Sequence, residues 1–483
     1  MKSIKKIYKN FLIKLLGIIR SYGFDIQKTQ DIDIKISNLQ SIKDRNARLH
    51  STKQLASMYP KNPKVHLELI HCLHMMNDSL QFEQMNKYPK ILREWLSHNG
   101  LSELRNIEFI SLDMVIGSFG NHFAIKNLLN ANKYGLRTPK KIVLLLPENA
   151  QLRNPILFSY FEPYISVIRD SEVILAMKSI ESYLTLPLGV GLPMDEVCPF
   201  LDIAANMAEI ERIKLGIEEP LFHLNKEHYD LGKKALKKLG LPDDAWYVTL
   251  HVREPGYRGE TRKNTTEGHR NANPLDYVDA CKAITRAGGW VFRMGDPSMT
   301  TLPEMPQVID YAHREDIRSD LMDIFLGATC RFLIGTASGY LDVPGYFGVP
   351  IIFTNCSLSS PYFIMTENDL YLPRLLKRKE SDKYLSLEEY MSPPLSMLND
   401  HFIEVEGLYW EENTSEEIEA AAIEMLTKTN ENNISKSDDD LQIRFKSLAE
   451  KCGFKYGGHK VTAFASISHQ FIHKHSDLLD EVI

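Results

Sequence analysis

From about residue 240 onward the chain alternates between short apolar, β-branched runs and amphipathic helical stretches. "YVTLHV" (Tyr247–Val252) precedes "NPLDYVDACKAITRAGG", and "WVFRMG" (Trp290–Gly295) precedes a loop and a short "QVIDYA". "RSDLMDIFLGA" leads to "RFLIG" (Arg331–Gly335), and "TASGYLDVPGYFG" opens a helical turn before "VPIIFTN" (Val349–Asn355). Strands separated by helices imply βαβ units and a parallel sheet. An earlier block has the same texture. "FISLDMVIGSFGNHFAIKNLLNANKYG" reads as strand, glycine turn and helix, and "PILFSYFEPYISVI" as a further helix. Between them "KKIVLLLP" (Lys140–Pro147) is the near-continuous apolar run of a strand covered on both faces. The pattern predicts an α/β protein with two Rossmann-like lobes.

The expected organisation has five parts. Residues 1–25 form a basic amphipathic helix, with Ile4, Ile7, Phe11, Leu12, Leu15, Ile18 and Ile19 at helical spacing among Lys5, Lys6, Lys9, Lys14 and Arg20. Lys14 splits the apolar stretch and no small-residue cleavage site follows, which excludes a signal peptide. The helix suits either an anionic membrane surface or a docking face on its own domain. Residues 26–110 read as a helical extension of tetratricopeptide-like texture without a clean period of about 34 residues. It is either a protein-docking platform or a structural cap. Residues 111–235 and 236–428 are the two lobes, and 429–483 a polar loop and a final helix.

A chain of 483 residues can bury two or three sizeable cores. Its net charge of −6 argues against a nucleic-acid partner. The six cysteines form no Cys-x-x-Cys pair, which removes zinc-ribbon and thioredoxin readings and fits a reducing compartment. No apolar run approaches the roughly 20 residues of a membrane span. Asp31 and Asp33 lie in the helical region and Asp438–Asp440 in the polar loop, so no metal is expected.

Open α/β sheets bind ligands beyond the carboxyl ends of their strands. In the second lobe those ends deliver His251, Arg253, Tyr257 and Arg258, then Arg293, Gly295 and Asp296, then Gly335, Thr336, Ser338 and Gly339, and finally Asn355. A small-residue turn before a helix lets backbone approach an anion, and Thr336 and Ser338 add hydroxyls. Arg253 offers a two-pronged donor to a phosphate. The alternative for Arg253 is a pairing with a neighbouring acid, but Glu254 next door points the other way on a strand. His251 suits either a ligand contact or a sheet cap. In the first lobe Gly117, Ser118, Gly120 and Asn121 form a turn ahead of His122, whose near-neutral pKa suits a general base.

The blocks "HVRE", "RMGD", "IDYA" and "GTASG" appear in the order seen in a family of bacterial glycosyltransferases associated with surface-polysaccharide gene clusters. The chain resembles that family over about 111–430, most strongly over 240–360. The "HVR" strand end is also similar to that of the α-1,6-fucosyltransferase type, which implies that Arg253 is the diphosphate ligand. The "GSFGNH" turn is similar to first-lobe glycine loops of other GT-B enzymes, where a histidine lies near the acceptor.

The resemblance implies a GT-B glycosyltransferase that moves a sugar from a nucleotide-sugar to a glycan or lipid-linked hydroxyl. No cofactor beyond that substrate is implied. Arg253, Gly335, Thr336, Ser338 and Gly339 are the expected diphosphate ligands, with Gly295 and Asp296 on the nucleoside side. His251, Tyr257, Arg258, Arg293 and Asn355 complete the donor cluster. Gly117, Ser118, Gly120 and Asn121 are expected at the acceptor. His122 is the first expectation for the base, ahead of Asp342 and Glu254. The expected location is the cytoplasm, with residues 1–20 able to contact the inner membrane face. A sugar-nucleotide epimerase of the same two-lobe fold is the enzymatic alternative, and a non-catalytic helical scaffold the other.

Overall fold

The computed structural model describes residues 26–76, 80–184, 201–255, 270–358, 366–392, 406–430, 440–452 and 464–479, with a few isolated positions between them. The expected basic helix at 1–25 lies outside the described residues. The chain divides into two compact units, Met1–Leu215 and Gly216–Ile483.

The first unit opens with helices α1 (Ile26–Gln40), α2 (Arg45–Met58), α3 (Pro63–Met75) and α4 (Leu80–His98). Asp44 accepts the Ala47 N–H at 2.7 Å and starts α2; proline at the first position of α3 has no amide to leave unpaired. Ile32, Ile36 and Leu39 of α1 pack with Leu55 of α2 and Val65, Leu69 and Leu73 of α3. Strands β1 (Ile107–Ile110), β2 (Lys141–Leu145) and β3 (Ser166–Ile168) form a parallel sheet in that order. Leu96 from the end of α4 is buried with Phe109, Val143 and Ile168 of the sheet. The last helix of the extension thus shares a core with the sheet, while α1–α3 pack around a core of their own.

Two local expectations change. The strand anticipated from 109 to 116 begins at Ile107 and stops at Ile110. Ser111 Oγ accepts the Asp113 N–H at 3.3 Å, and Asp113–Ile116 turns helical. "PILFSYFEPYISVI" is a helix only over Pro155–Phe161; Pro163 disfavours its continuation, and Ser166–Ile168 becomes β3.

The second unit is built on seven parallel strands: β4 (Tyr247–His251), β5 (Trp290–Arg293), β6 (Val308–Ile309), β7 (Leu333–Gly335), β8 (Ile351–Cys356), β9 (Leu370–Pro373) and β10 (Ser466–Ile467). Their order across the sheet is β10-β9-β8-β7-β4-β5-β6. From β4 the chain winds outward through β5 to β6, then returns to β7 on the other side of β4 and winds the opposite way. The switch point of this doubly wound sheet lies between β4 and β7, which pair in register Thr249↔Leu333 and His251↔Gly335.

This unit begins at Gly216, ahead of the expected boundary at 235/236. The helix Lys226–Lys238 belongs to it because Gly232 lies flat against Phe325 on the helix Asp320–Thr329; a Cβ there would meet the ring at 2.1 Å. The tail also contributes more than a loop and helix, since β10 pairs with β9 through Leu370↔Ser466 and Tyr371↔Ile467. Cys72, Cys281, Cys330 and Cys356 are buried free thiols, and Cys452 is half-buried and free. Among the described residues no helix is long and apolar enough to cross a membrane.

Candidate functional site

The switch point is built by hydrogen bonds between two chain segments far apart in sequence. The Thr336 N–H donates to His251 O at 3.1 Å, and the Arg253 N–H donates to Thr336 Oγ1 at 2.8 Å. The His251 imidazole meets Ser338 Oγ at 3.0 Å through Nδ1 and lies over the Tyr340 ring. A Cβ at position 335 would lie 3.0 Å from His251 O, tighter than an ordinary contact, so the two segments approach closely at this glycine. Burial, with the positive charges of Arg293 and Arg253 nearby, lowers the His251 pKa to about 4, so the ring is neutral at physiological pH. After Gly335 the chain passes through Thr336–Ser338 into the helical turns Gly339–Leu341 and Asp342–Tyr346. The amides of Ala337, Ser338 and Gly339 make no hydrogen bond among the described residues.

Residues 270–273 close one side of this turn. The Ala272 N–H donates to Arg253 O at 3.0 Å, the Arg253 guanidinium bonds to Asn271 Oδ1, and Arg270 Nε donates to Ala337 O at 2.8 Å. The buried Arg374 guanidinium donates to Asn271 O. Arg270, Asn271 and Arg374 were not anticipated from sequence. Arg374 follows the carboxyl end of β9, so the rule that selected Arg253 also reaches it; Arg270 follows no strand and carries no such signal.

Several anticipated ligands occupy other places. Arg293 is fully buried, and its Nη2 donates to Glu254 Oε2 at 2.6 Å while Nη1 reaches Asp310 Oδ1 at 3.4 Å. Glu254 also accepts the Thr300 N–H at 3.2 Å, and Asp310 the Leu302 N–H at 2.9 Å. This buried cluster ties the loop after β5 to the sheet. A base must reach a substrate proton, and the Glu254 carboxylate is engaged inside; a phosphate ligand must present its fork, and that of Arg293 faces two acids. Both assignments are corrected to an architectural pair. Asn355 is likewise buried, at a φ of +50°. It exchanges hydrogen bonds with Asn413 at 2.6 and 2.9 Å and donates to Tyr277 Oη at 3.1 Å, so it organises the core rather than facing a ligand.

Gly295 takes a φ of +145°, and Asp296 closes the same turn by accepting the Ser298 N–H at 2.9 Å. Asp342 is half-buried at the start of its short helix. Tyr257 and Arg258 lie outside the described residues.

In the first unit, Gly117–Asn121 does form a turn before the helix His122–Lys133. Ser118 Oγ donates to Asn121 Oδ1 at 3.1 Å and Asn121 Nδ2 to Asp113 O at 2.9 Å, so both side chains bind within the turn. Gly117 and Gly120 are half-buried. His122 is fully buried against Phe161; Nδ1 meets Phe119 O at 3.2 Å and Nε2 is a buried nitrogen with no partner among the described residues. Burial lowers its pKa to about 4. The expectation of an acceptor-facing base is corrected: an imidazole in this interior is a poor base and has no exposed edge.

No group of three or more His, Cys, Asp or Glu side chains among the described residues could hold a metal ion. No family model matches the chain, and no curated protein does. Solved structures similar to it include a glycosyl transferase family 9 protein from Veillonella parvula DSM 2008, at 12% identity, 55% of this chain, 85% of that chain and a TM-score of 0.35. An E. coli ADP-heptose lps heptosyltransferase II matches at 12% identity over 56% and 90% of the two chains, with a TM-score of 0.33. A UDP-GlcNAc 2-epimerase from Methanocaldococcus jannaschii matches at 11% identity over 60% and 71%, with a TM-score of 0.21.

Proposed function

We propose that this protein is a GT-B-type glycosyltransferase whose nucleotide-sugar donor seats its diphosphate at the switch point of the second unit. The observation that carries the reading is the meeting of Arg253 with the Thr336–Ser338 turn, where the Arg253 amide is 2.8 Å from Thr336 Oγ1. A permanently charged guanidinium, two hydroxyl-bearing side chains and the amides of Ala337, Ser338 and Gly339 offer donors to a leaving pyrophosphate. Donors fixed before the reaction stabilise charge as it develops, without reorganisation.

The transfer breaks the bond from the anomeric carbon to the β-phosphate oxygen and forms one to an acceptor oxygen. The nucleoside diphosphate departs, and the hydroxyl proton passes to a base. Of the three sequence candidates for that base, Asp342 is the one that is not buried. Gly295 and Asp296 belong on the nucleoside side of the donor. The acceptor is a glycan or lipid-linked hydroxyl of surface-polysaccharide synthesis, held by the first unit around the Gly117–Asn121 turn.

Thermal-shift titration with ADP, GDP and UDP tests the donor site. Ligand at about 100 times its dissociation constant adds about 2.7 kcal/mol, which raises the midpoint measurably. The reading predicts stabilisation by one or more of the three, lost in Arg253→Ala. No shift with any nucleotide, or equal shifts in parent and variant, removes it. Incubating the protein with a nucleotide-sugar and no acceptor separates the epimerase alternative, which alone yields an epimer.

A further inference from the structure

Six of the chain's 57 basic side chains fall within residues 1–24, as Lys2, Lys5, Lys6, Lys9, Lys14 and Arg20, and none of its 63 acidic ones does. The rest of the chain, with 51 basic and 63 acidic side chains, therefore carries a charge of −12. Charge is segregated by sign along the sequence, which the whole-chain value of −6 conceals. Apolar character is segregated around the same stretch. At helical spacing Ile4, Ile7, Phe11, Leu15, Ile18 and Ile19 fall on one arc of about 120°, and Lys2, Lys5, Lys6, Lys9 and Arg20 fall on the opposite side. That pattern suits the interface of a bilayer, where aliphatic and aromatic side chains enter the acyl boundary and lysines meet the headgroups.

The described residues bear on the alternative, a docking face on the chain's own domain. Ile32, Ile36 and Leu39 of α1 are already buried in the core formed with α2 and α3. Both acids of α1 are held by lysines of the same bundle, Asp31 by Lys35 and Asp33 by Lys64. They do not supply the counter-charge that six cations call for. An anionic bilayer supplies it together with an apolar phase, and the same surface repels the −12 of the remaining chain. We propose that residues 1–24 bind the surface of an anionic bilayer and hold the protein there, with the rest of the chain kept in water. The proposal is independent of the donor-site reading.

Co-flotation of the full chain with phosphatidylcholine vesicles, with and without phosphatidylglycerol, tests it. The parent, Lys5→Gln/Lys6→Gln/Lys9→Gln and Phe11→Ser are compared at low and high salt, and the melting midpoint of each is measured without vesicles. The parent is expected to float with the anionic vesicles and not with the neutral ones, and to be released by salt. Each basic residue near such a surface is worth about fivefold in partitioning, so the triple variant should bind roughly 100-fold more weakly. Phe11→Ser should lose at least about tenfold by withdrawing one apolar side chain from the acyl boundary. The midpoints of both variants should equal the parent's, which a segment packed on its own domain does not produce.

A parent that stays with neither vesicle, or that floats equally with both, overturns the proposal, as does equal binding by the parent and the triple variant. A lowered midpoint in Phe11→Ser without vesicle binding by the parent assigns the apolar arc to the chain's own domain instead. Nucleotide binding in the thermal-shift titration is untouched by any of these results, so the two proposals fail separately.

Discussion

Replacing Glu254 with alanine removes the nearest anion from a guanidinium with no solvent exposure. Arg293 Nη2 lies 2.6 Å from Glu254 Oε2, and the remaining acid, Asp310, is 3.4 Å from Nη1. Breaking a buried pair by deleting one partner costs about 3–5 kcal/mol, because the other charge stays desolvated. The Thr300 amide, 3.2 Å from the same carboxylate, loses its acceptor as well. For a unit of roughly 270 residues, an unfolding entropy of about 2.1 cal/mol/K per residue converts that cost to a midpoint drop of about 5–9 °C. Differential scanning calorimetry of parent and variant reads it directly. Pairing Glu254→Leu with Arg293→Met removes both charges together, and the double variant should lose much less than the two single changes summed. A Glu254→Ala midpoint within about 2 °C of the parent refutes the architectural assignment. Turnover abolished in Glu254→Gln at an unchanged midpoint returns that carboxylate to the chemistry.

Thr336→Val keeps the side-chain shape but deprives the Arg253 amide of its acceptor; a loss of about 1–3 kcal/mol in urea unfolding is expected, together with weaker nucleoside-diphosphate binding. Gly232→Ala places a Cβ 2.1 Å from the Phe325 ring and should cost about 1–3 kcal/mol despite alanine's better helix propensity, with Phe325→Leu recovering part of it in the same assay. His122 stays neutral in the folded chain down to about pH 4, whereas the unfolded chain protonates it near 6.5. The unfolded state therefore binds more protons in that window, and stability falls as pH falls through it, by about 2 kcal/mol between pH 7 and pH 5. His122→Phe should lack that component, and a pH profile identical to the parent's speaks against the buried imidazole.

The strands of the second sheet were legible because their signal is local. "YVTLHV", "WVFRMG", "RFLIG" and "VPIIFTN" carry apolar, β-branched runs at helix-length spacing, and a parallel sheet follows from the need for crossovers. The strand-end rule likewise selected Arg253 and the Thr336–Ser338 turn, since chain direction alone carries both to the same edge. Sequence could not show which charges meet across long separations. Glu254 faces Arg293 and Asn355 faces Asn413, partners 39 and 58 residues away, and each pairing withdraws an expected ligand into the interior. His122 has the composition of a base and the burial of a core residue; the Phe161 ring that covers it comes from another helix. The two-residue strand β10 is too short for any periodicity, and only its pairing with β9 makes it a strand. Local propensity determined the elements and their order, while burial and long-range pairing decided which polar groups remain available to a ligand, because desolvation depends on the whole surrounding shell of atoms.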